Sequence, residues 1–251
     1  MKKGSFLLPV LFLCVWQLVC TLGLLPPSKL TSPLQVCLGM KDLLTQGMPP
    51  GFLLPMHALY SLERVLYGFS LALLLGVPLG IAMGGSRTLR NLLYPMVNFF
   101  RPIPPLAWVP LAILWFGIGL KSAAFLIFLG AFFPILLNTC AGVLAVEPIL
   151  VDAARTLDAS RWNIWLKVLL PGSLPSILTG IRIGMGIGWM TLVAAELTGV
   201  RQGYGLGYMI MSAHDLQRID EIFAGMVAIG LIGLAIEWCL ARLSKSLLKW
   251  K

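Results

Sequence analysis

The feature of this sequence that most constrains its fold is a set of long apolar segments that carry very few charges. The clearest segments cover residues 65–83, 122–146, 177–197 and 222–240. A helix needs about 20 mostly apolar residues to cross the hydrocarbon core of a bilayer, and these segments match or approach that length. Only 12% of the chain is charged and 58% is hydrophobic, whereas soluble domains carry about 25% charged residues. The sequence therefore predicts an all-α, polytopic membrane protein.

Two less regular segments bring the predicted bundle to about six transmembrane helices. Residues 6–25 form an apolar N-terminal run that no A-x-A-like cleavage site follows. We therefore expect an attached first span rather than a removed signal peptide. Residues 103–120 are also apolar, but they contain Pro104, Pro105 and Pro110, which should break or bend the start of that span.

Lys and Arg are distributed unevenly between the loops of this single predicted domain, residues 1–251, whose core spans run over about 65–240. With an even number of spans, both chain ends and the polar segment 147–175 lie on one side of the membrane. That side carries about twice as many Lys and Arg residues as the other. Because positive residues favour the cytoplasmic side, we expect cytoplasmic N- and C-termini and a cytoplasmic segment at 147–175.

Several function classes are excluded by what the sequence lacks. Its net charge of +9 comes from short basic clusters between apolar runs, which is unlike the solvated basic face that binds nucleic acid. It has no G-x-x-x-x-G-K-[ST] loop for ATP phosphates and no H-E-x-x-H set. It also has no C-x-x-C pair or similar ligand cluster. We therefore expect no metal, no cofactor and no enzyme activity in this chain.

Glycines recur at every fourth residue in two of the predicted spans. Such a triplet leaves one helix face without side chains, so that another backbone can approach closely. The neighbour is either another helix of the same subunit, which we favour, or a helix of a second subunit. The two triplets are Gly76, Gly80 and Gly84, and Gly180, Gly184 and Gly188.

The polar segment 147–175 predicts a helical hairpin outside the membrane. Each half places its apolar residues on one helical face. Ser160 is positioned to cap the second helix, which Pro171 and Pro175 are expected to end before the next span. Such an apolar face needs a cover, which is either a lipid surface or a protein partner. The apolar positions are Ile149, Ala153, Ala154 and Leu157 in the first helix, and Trp162, Trp165, Leu166 and Leu169 in the second.

Short motifs in this hairpin resemble a known coupling element. Asp-Ala-Ala-Arg at 152–155, Asp-Ala-Ser at 158–160 and Val-Leu-Leu-Pro at 168–171 resemble the "EAA" loop of type I ABC importer permeases. In that family the loop docks into a groove of the ATP-hydrolysing subunit and transmits its closure to the transmembrane helices. The resemblance implies this coupling role for Asp152, Ala153, Ala154, Arg155, Asp158, Ala159 and Ser160.

The chain departs from the family pattern at two of these positions. Asp152 stands where the family usually has Glu, which keeps the charge but shortens its reach. Asp158 stands where the family usually has Gly, between the two short helices, where a left-handed residue closes the first one. Because Asp is one of the few other residues that visit this conformation, we expect Asp158 at positive φ.

Other segments resemble the nitrate/sulfonate/taurine-type permeases. These segments lie at residues 25–33, 61–69, 101–119, 189–198 and 205–208. The resemblance implies a permease subunit of an ATP-driven importer in a bacterial inner membrane. It further implies a permease dimer, usually of identical subunits, with a pair of ABC ATPase subunits and an extracytoplasmic solute-binding protein. The implied substrate is a sulfonate, taurine, nitrate or similar small anion, and the alternative is a thiamine-precursor pyrimidine or another solute.

Polar and charged residues within the spans are candidates for the translocation path, because placing a charge at the bilayer centre costs roughly 2.5–3.5 kcal/mol on insertion scales. Arg182 is placed either to attract an anion or to snorkel to the cytoplasmic interface. The neighbouring candidates either line a path or pack between helices, and both interpretations stay open. The candidates are Arg182, Trp189, Met190, Thr191 and Glu196.

Two glutamates in the spans have structural interpretations. A carboxylate repels an anionic substrate, so we expect Glu196 to form a structural pair with Arg64 or Arg201. Glu237 is expected to be an interface residue rather than a proton relay. An ion-coupled secondary transporter, the alternative to an ATP-driven importer, would need ionisable residues at mid-membrane. The sequence has few of them, and the hairpin at 147–175 would then be unexplained.

Overall fold

The computed structural model describes residues 7–26, 29–198 and 204–248, and all regular structure in these ranges is helical. A 3₁₀ turn (Pro105–Trp108) and a π-helical turn (Trp165–Leu169) interrupt the α-helices. The α-helices are α1 (Leu7–Thr21), α2 (Pro33–Thr45), α3 (Leu54–Gly85), α4 (Arg87–Phe100), α5 (Val109–Phe116), α6 (Leu120–Leu144), α7 (Pro148–Thr156), α8 (Arg161–Ile164), α9 (Leu170–Thr198), α10 (Leu206–Asp215) and α11 (Ile219–Leu247).

The chain divides into two compact units. The first comprises Met1–Ser61 and Gly203–Ile232, and the second comprises Leu62–Gln202 and Gly233–Lys251. Helices α1, α2 and α10 belong to the first unit, and α4 to α9 belong to the second. The long helices α3 and α11 each contribute residues to both units.

Four helical segments of the described chain are long and apolar enough to cross a membrane. They are α3, α6, α11 and the continuous segment Arg161–Leu197. A fifth span is possible if α4 and the following Pro105–Phe116 segment, which meet at an 83° bend, cross together. The described chain therefore has four or five candidate spans, against the six that the sequence predicts.

The two less regular predicted segments form shorter helices in the structure, for local reasons. The segment predicted at 103–120 is broken near Pro104 and Pro105, and its helix α5 has only eight residues, about 12 Å of length. Helix α1 ends at Thr21, where Gly23 adopts φ 65°. The amide of Leu24 donates to the Val19 carbonyl, as in a Schellman cap. The apolar run at 6–25 thus forms a 15-residue helix within the described residues.

Helix α6 is the helix onto which both glycine triplets pack, within the second unit. A Cβ atom built on Gly80 would lie 2.7 Å from the Leu136 carbonyl oxygen, and one built on Gly184 would lie 2.9 Å from the Ala131 carbonyl oxygen. The remaining glycines of the two triplets meet α6 in the same way, several as tightly. The favoured prediction, contact between helices of one subunit, is confirmed for these glycines.

The polar segment 147–175 folds as α7, α8 and the π-helical turn, and it then continues into α9 without a break. The prediction that Pro171 and Pro175 end the second helix is wrong. The amide of Leu170 donates to the Trp165 carbonyl, which is the i→i−5 bond of a π-helical turn. This wider turn places Pro171 in the first turn of α9, where its missing N–H removes no bond from α9.

The contact between α3 and α6 generates a stability prediction. We expect Gly80→Ala to lower the free energy of unfolding by about 1–3 kcal/mol, since the added methyl overpacks the Leu136 backbone. The matched control is Gly230→Ala in α11, where a Cβ atom meets nothing within 4 Å. Thermal unfolding of the purified protein in detergent measures both variants. Equal melting temperatures would contradict close packing at Gly80.

Candidate functional site

The hairpin of α7 and α8 exposes large apolar side chains next to charged ones. Leu157 is 82% exposed, Trp162 is 70% exposed and Ile149 is 69% exposed. Asp152 and Arg155 lie on the same hairpin, both exposed, and their side chains pair at 3.3 Å. Exposed apolar groups of this size, rimmed by polar residues, mark interaction surfaces.

The turn between α7 and α8 has the geometry that the sequence predicts. Asp158 adopts φ 52°, so the prediction of a left-handed residue at this position is confirmed. The Ala159 amide donates to the Ala154 carbonyl at 3.1 Å, and the Asp158 amide donates to the Arg155 carbonyl at 3.0 Å. These are the two bonds of a Schellman cap. The hydroxyl oxygen of Ser160 then accepts from the Asn163 amide at 3.2 Å, which confirms the predicted cap of α8.

Trp165 connects this hairpin to the membrane helices, and the sequence analysis did not single it out for this role. A Cβ atom on Gly85, at the end of α3, would overlap the Trp165 ring, and one on Gly172 would lie 2.9 Å from Val146. Ile164 is buried beside Trp165 in the chain. The available signal was Gly85 itself, which adds a second glycine directly after Gly84. The hairpin is therefore packed against other helices of the second unit, to which it belongs.

Helix α9 exposes one stripe of residues along its length. The exposed positions recur every three or four residues, as expected for a single helix face. Met190 is 74% exposed, Arg182 is 43% exposed, and a Cβ atom on Gly186 would meet nothing within 4 Å. The stripe consists of Thr179, Arg182, Ile183, Gly186, Ile187 and Met190.

The five path candidates from the sequence divide between this stripe and the interior of the subunit. Arg182 and Met190 lie on the stripe, whereas Trp189, Thr191 and Glu196 are buried. The hydroxyl of Thr191 donates to the Ile187 carbonyl at 2.8 Å. Of the five candidates, only Arg182 and Met190 thus have accessible side chains.

Glu196 forms a buried ion pair with Arg64 across helices α9 and α3. The distance between Arg64 Nη1 and Glu196 Oε1 is 2.6 Å, and the side chains are 5% and 2% exposed. The expected structural pair is confirmed with Arg64, while the alternative partner, Arg201, lies outside the described residues. A buried pair of this kind fixes the two helices, because either charge alone would be strongly destabilising.

Arg182 forms a second ion pair, with Glu237 of α11, that the sequence analysis did not predict. Arg182 Nε donates to Glu237 Oε1 at 3.0 Å, and Arg182 Nη2 donates to the same oxygen. The two side chains are 43% and 51% exposed. They lie in a cavity of about 420 Å³ whose other lining residues are Thr179 and Ile183.

Within the first unit, two of the family-like motifs meet at the start of α10. The Gly205 amide donates to His57 Nδ1 at 3.1 Å, and the Leu206 amide donates to the Ser61 hydroxyl oxygen at 2.9 Å. Both side chains come from α3 and satisfy amides at the N-terminus of α10 that have no helical partner. These hydrogen bonds bring the starts of the family-like segments 61–69 and 205–208 into contact.

Arg218 holds three carboxylates together in the first unit. Its Nη2 atom lies 3.2 Å from Asp42, 3.2 Å from Asp220 and 2.7 Å from Glu221. The hydrogen bonds that Arg218 donates to the Asp220 carboxylate raise the pKa of the Arg218 guanidinium. Because this guanidinium already sits among the carboxylates, the cluster forms a structural ion network that ties α2 to the turn between α10 and α11.

The turn at Asp158 generates a prediction about local stability. We expect Asp158→Gly to stabilise the hairpin by about 1 kcal/mol, because Gly adopts positive φ without the penalty of a Cβ atom. The control Asp152→Gly lies inside α7 and should destabilise the helix by a similar amount. Hydrogen exchange of the α7 amides measures both effects. Faster exchange in Asp158→Gly would contradict the assigned role of the turn.

The buried ion pair generates a second stability prediction. We expect Arg64→Met to destabilise the protein by about 3–5 kcal/mol, since it removes the guanidinium that contacts the buried Glu196 carboxylate, and Arg64→Met/Glu196→Leu to recover most of the loss. Arg155→Gln, which breaks the exposed pair with Asp152, should change stability by less than about 1 kcal/mol. Thermal unfolding measures all three, and a double variant no more stable than the single one would refute the interpretation.

Comparison with known proteins agrees with these features. The family model described as "binding-protein-dependent transport system inner membrane component" matches residues 76–249. The chain is 43% identical to the taurine transport system permease protein of Escherichia coli, over 95% of this chain and 86% of the relative. It is 38% identical to the putative aliphatic sulfonates transport permease protein of Bacillus subtilis, over 99% of this chain and 87% of the relative.

Solved structures with the same fold include the inward-facing MetNI methionine ABC transporter. One of its chains matches with a TM-score of 0.66 at 20% identity, covering 77% of this chain and 95% of that chain. The likeness at this identity concerns the fold alone. The family match and the two relatives show that the chain belongs to the binding-protein-dependent transport system inner membrane component family, as a multi-pass permease subunit of an ABC importer, a transport component rather than an enzyme.

Proposed function

We propose that this permease forms the translocation path for a small sulfonate, such as taurine, or a similar small anion. Two identical copies span the membrane, a pair of ATPase subunits docks on the α7–α8 hairpins from the cytoplasm, and an extracytoplasmic binding protein delivers the solute. Both chain termini lie on the cytoplasmic side. The observation that carries this proposal is the exposed apolar surface of the hairpin, which is continuous with a membrane-spanning helix.

The hairpin has properties that favour a protein partner over a lipid surface. An interfacial helix on lipid is typically one amphipathic helix with its apolar face turned down. Here Asp158 and Ser160 divide the segment into two helices at a capped turn. Leu157 is the most exposed of the large apolar residues named above and stands at this turn. A compact, exposed apolar turn of this kind fits a groove in a protein.

The route from the hairpin to the membrane is a single helical segment. Residues 161–197 run from α8 through the π-helical turn into α9. Trp165 packs on Gly85, at the end of α3. Movement of the docked ATPase would therefore act on α9 and α3 together. This connection supports a coupling role for the loop from Asp152 to Ser160.

The exposed stripe of α9 supports both the path and the dimer. Arg182 and Thr179 are polar side chains on the exposed face of a membrane-spanning helix, where contact with lipid is unfavourable. Gly186 on the same stripe leaves open space in which another backbone or a solute can approach. A face of this composition is better suited to a water-lined path between two subunits than to lipid.

The substrate class rests on relatives and on charge. Two of the permeases that match over nearly the whole chain are named for taurine and for aliphatic sulfonates, at higher identity than the similarly covering permeases named for bicarbonate. Arg182, the positive residue on the stripe, has the planar donor geometry that suits sulfonate oxygens as it suits other oxyanions. We therefore assign small sulfonates ahead of the other solutes considered from the sequence.

The docking proposal is tested by changing Leu157. We expect Leu157→Arg to reduce co-purification of the cognate ATPase at least about tenfold, because the charge enters an apolar contact at the centre of the interface. The control is Leu34→Arg in α2, which alters a similarly exposed leucine outside the hairpin and should leave ATPase association unchanged. The permease and ATPase are co-expressed, purified through a tag on the permease, and quantified by subunit ratio.

The transport proposal is tested on the same complex in nanodiscs. ATP hydrolysis is measured with the cognate binding protein and a panel of taurine, ethanesulfonate, nitrate, bicarbonate and pyrimidines. Stimulation by the sulfonates supports the assigned class, and stimulation by pyrimidines alone would overturn it.

If the ATPase binds native and Leu157→Arg permease equally, the hairpin is not its docking surface.

A further inference from the structure

The Arg182–Glu237 pair leaves one donor group and one acceptor atom uncommitted. Both bonds from the guanidinium converge on a single carboxylate oxygen, Oε1 of Glu237. Among the described residues, Nη1 of Arg182 and Oε2 of Glu237 have no hydrogen-bond partner. An Arg–carboxylate pair usually engages both oxygens in a parallel fork. This pair instead presents a positive donor and a negative acceptor side by side.

The pair also borders an open space of suitable size. The cavity of about 420 Å³ lies beside Arg182 and Glu237, with Thr179 and Ile183 completing its lining. Small-molecule sites typically span about 300–1,000 Å³. The Thr179 hydroxyl donates to the Pro175 carbonyl, so its oxygen is left as an acceptor. The polar groups are thus placed along one wall that α9 and α11 share.

The charge balance of the pair selects among small sulfonates. A simple anion that binds Arg182 must draw the guanidinium away from Glu237, and nothing then compensates the carboxylate. A molecule that carries both a sulfonate and an ammonium exchanges one ion pair for two. Its sulfonate receives the guanidinium donors, and its ammonium donates to the Glu237 carboxylate. Opposite charges remain in contact before and after binding.

We propose that Arg182 and Glu237 form a binding site for an amino-sulfonate zwitterion along the translocation path, with Arg182 binding the sulfonate and Glu237 binding the ammonium. This inference rests on the proposed import function and specifies its substrate further. Glu237 is then the residue that distinguishes an amino-sulfonate from a sulfonate without an amine. Without a solute, the two residues pair with each other.

The test compares two solutes that differ in one group. Taurine carries an ammonium where isethionate carries a hydroxyl, and both carry the sulfonate. Binding of each to the permease–ATPase complex in nanodiscs, without binding protein, is measured by saturation-transfer NMR and by competition. We expect the native complex to prefer taurine by at least about tenfold, because a charge-assisted hydrogen bond replaces a neutral one.

Variants of Arg182 and Glu237 test which residue binds which end of the solute. Glu237→Gln should weaken taurine binding about tenfold and leave isethionate binding unchanged or stronger, so that the preference for taurine disappears. Arg182→Gln should weaken both solutes. The control Lys245→Gln removes a charge from an exposed position of the same helix α11 and should change neither.

The preference is a ratio measured within one preparation, so partial unfolding of a variant lowers both affinities without altering it. Equal affinity of the native complex for the two solutes would overturn the inference. So would a Glu237→Gln variant that keeps the preference for taurine. Subunit ratios of the same preparations report ATPase association separately, so loss of the import function itself is distinguishable from failure of this site.

Discussion

The close contact of α6 with its two neighbours is the constraint on which the second unit depends. In a bilayer, helix association gains little from the hydrophobic effect and relies on dispersion contacts between surfaces that fit closely. Glycines on α3 and α9 bring their helices to the α6 backbone, and Ile135 of α6 meets both Gly76 and Gly184. Because one helix serves both contacts, a displacement of α6 would act on α3 and α9 together. Both the α7–α8 hairpin and the exposed stripe are positioned through this shared contact.

The two ion pairs of α9 differ in how deeply their side chains are buried. Arg64 and Glu196 are almost completely buried at 2.6 Å. Arg182 and Glu237 are about half exposed and leave hydrogen-bonding capacity unused. The same residue types therefore form a buried contact between two helices in one place and an accessible ion pair in the other. Their depth and partners, rather than their identity, make the difference.

Sequence patterns predicted the features that depend on local chemistry. The glycine spacing indicated close helix contacts, Ser160 indicated a cap, and the Asp at position 158 indicated a left-handed turn. The sequence did not reveal that the second hairpin helix continues into α9, because the pattern around Pro171 does not show the π-helical turn that places this proline in the first turn of α9. It also missed the partnership of Arg182 and Glu237, since the two residues are 55 positions apart and only the packing of α9 and α11 brings them together. Apolar composition also did not show that prolines would bend the segment predicted at 103–120.

The π-helical turn at Trp165–Leu169 sets the angular register between the hairpin and the membrane helix. An α-helix advances about 100° per residue, and a π-helical turn accommodates one extra residue. The face that α9 presents is therefore rotated by about a quarter of a revolution from where an uninterrupted α-helix starting at Ser160 would place it. Conversion of this single turn to α-helical geometry would rotate Thr179, Arg182 and Met190 around the helix axis while leaving the α7–α8 hairpin in place. A rotation of that size is enough to move a side chain from a cavity to a packed interface.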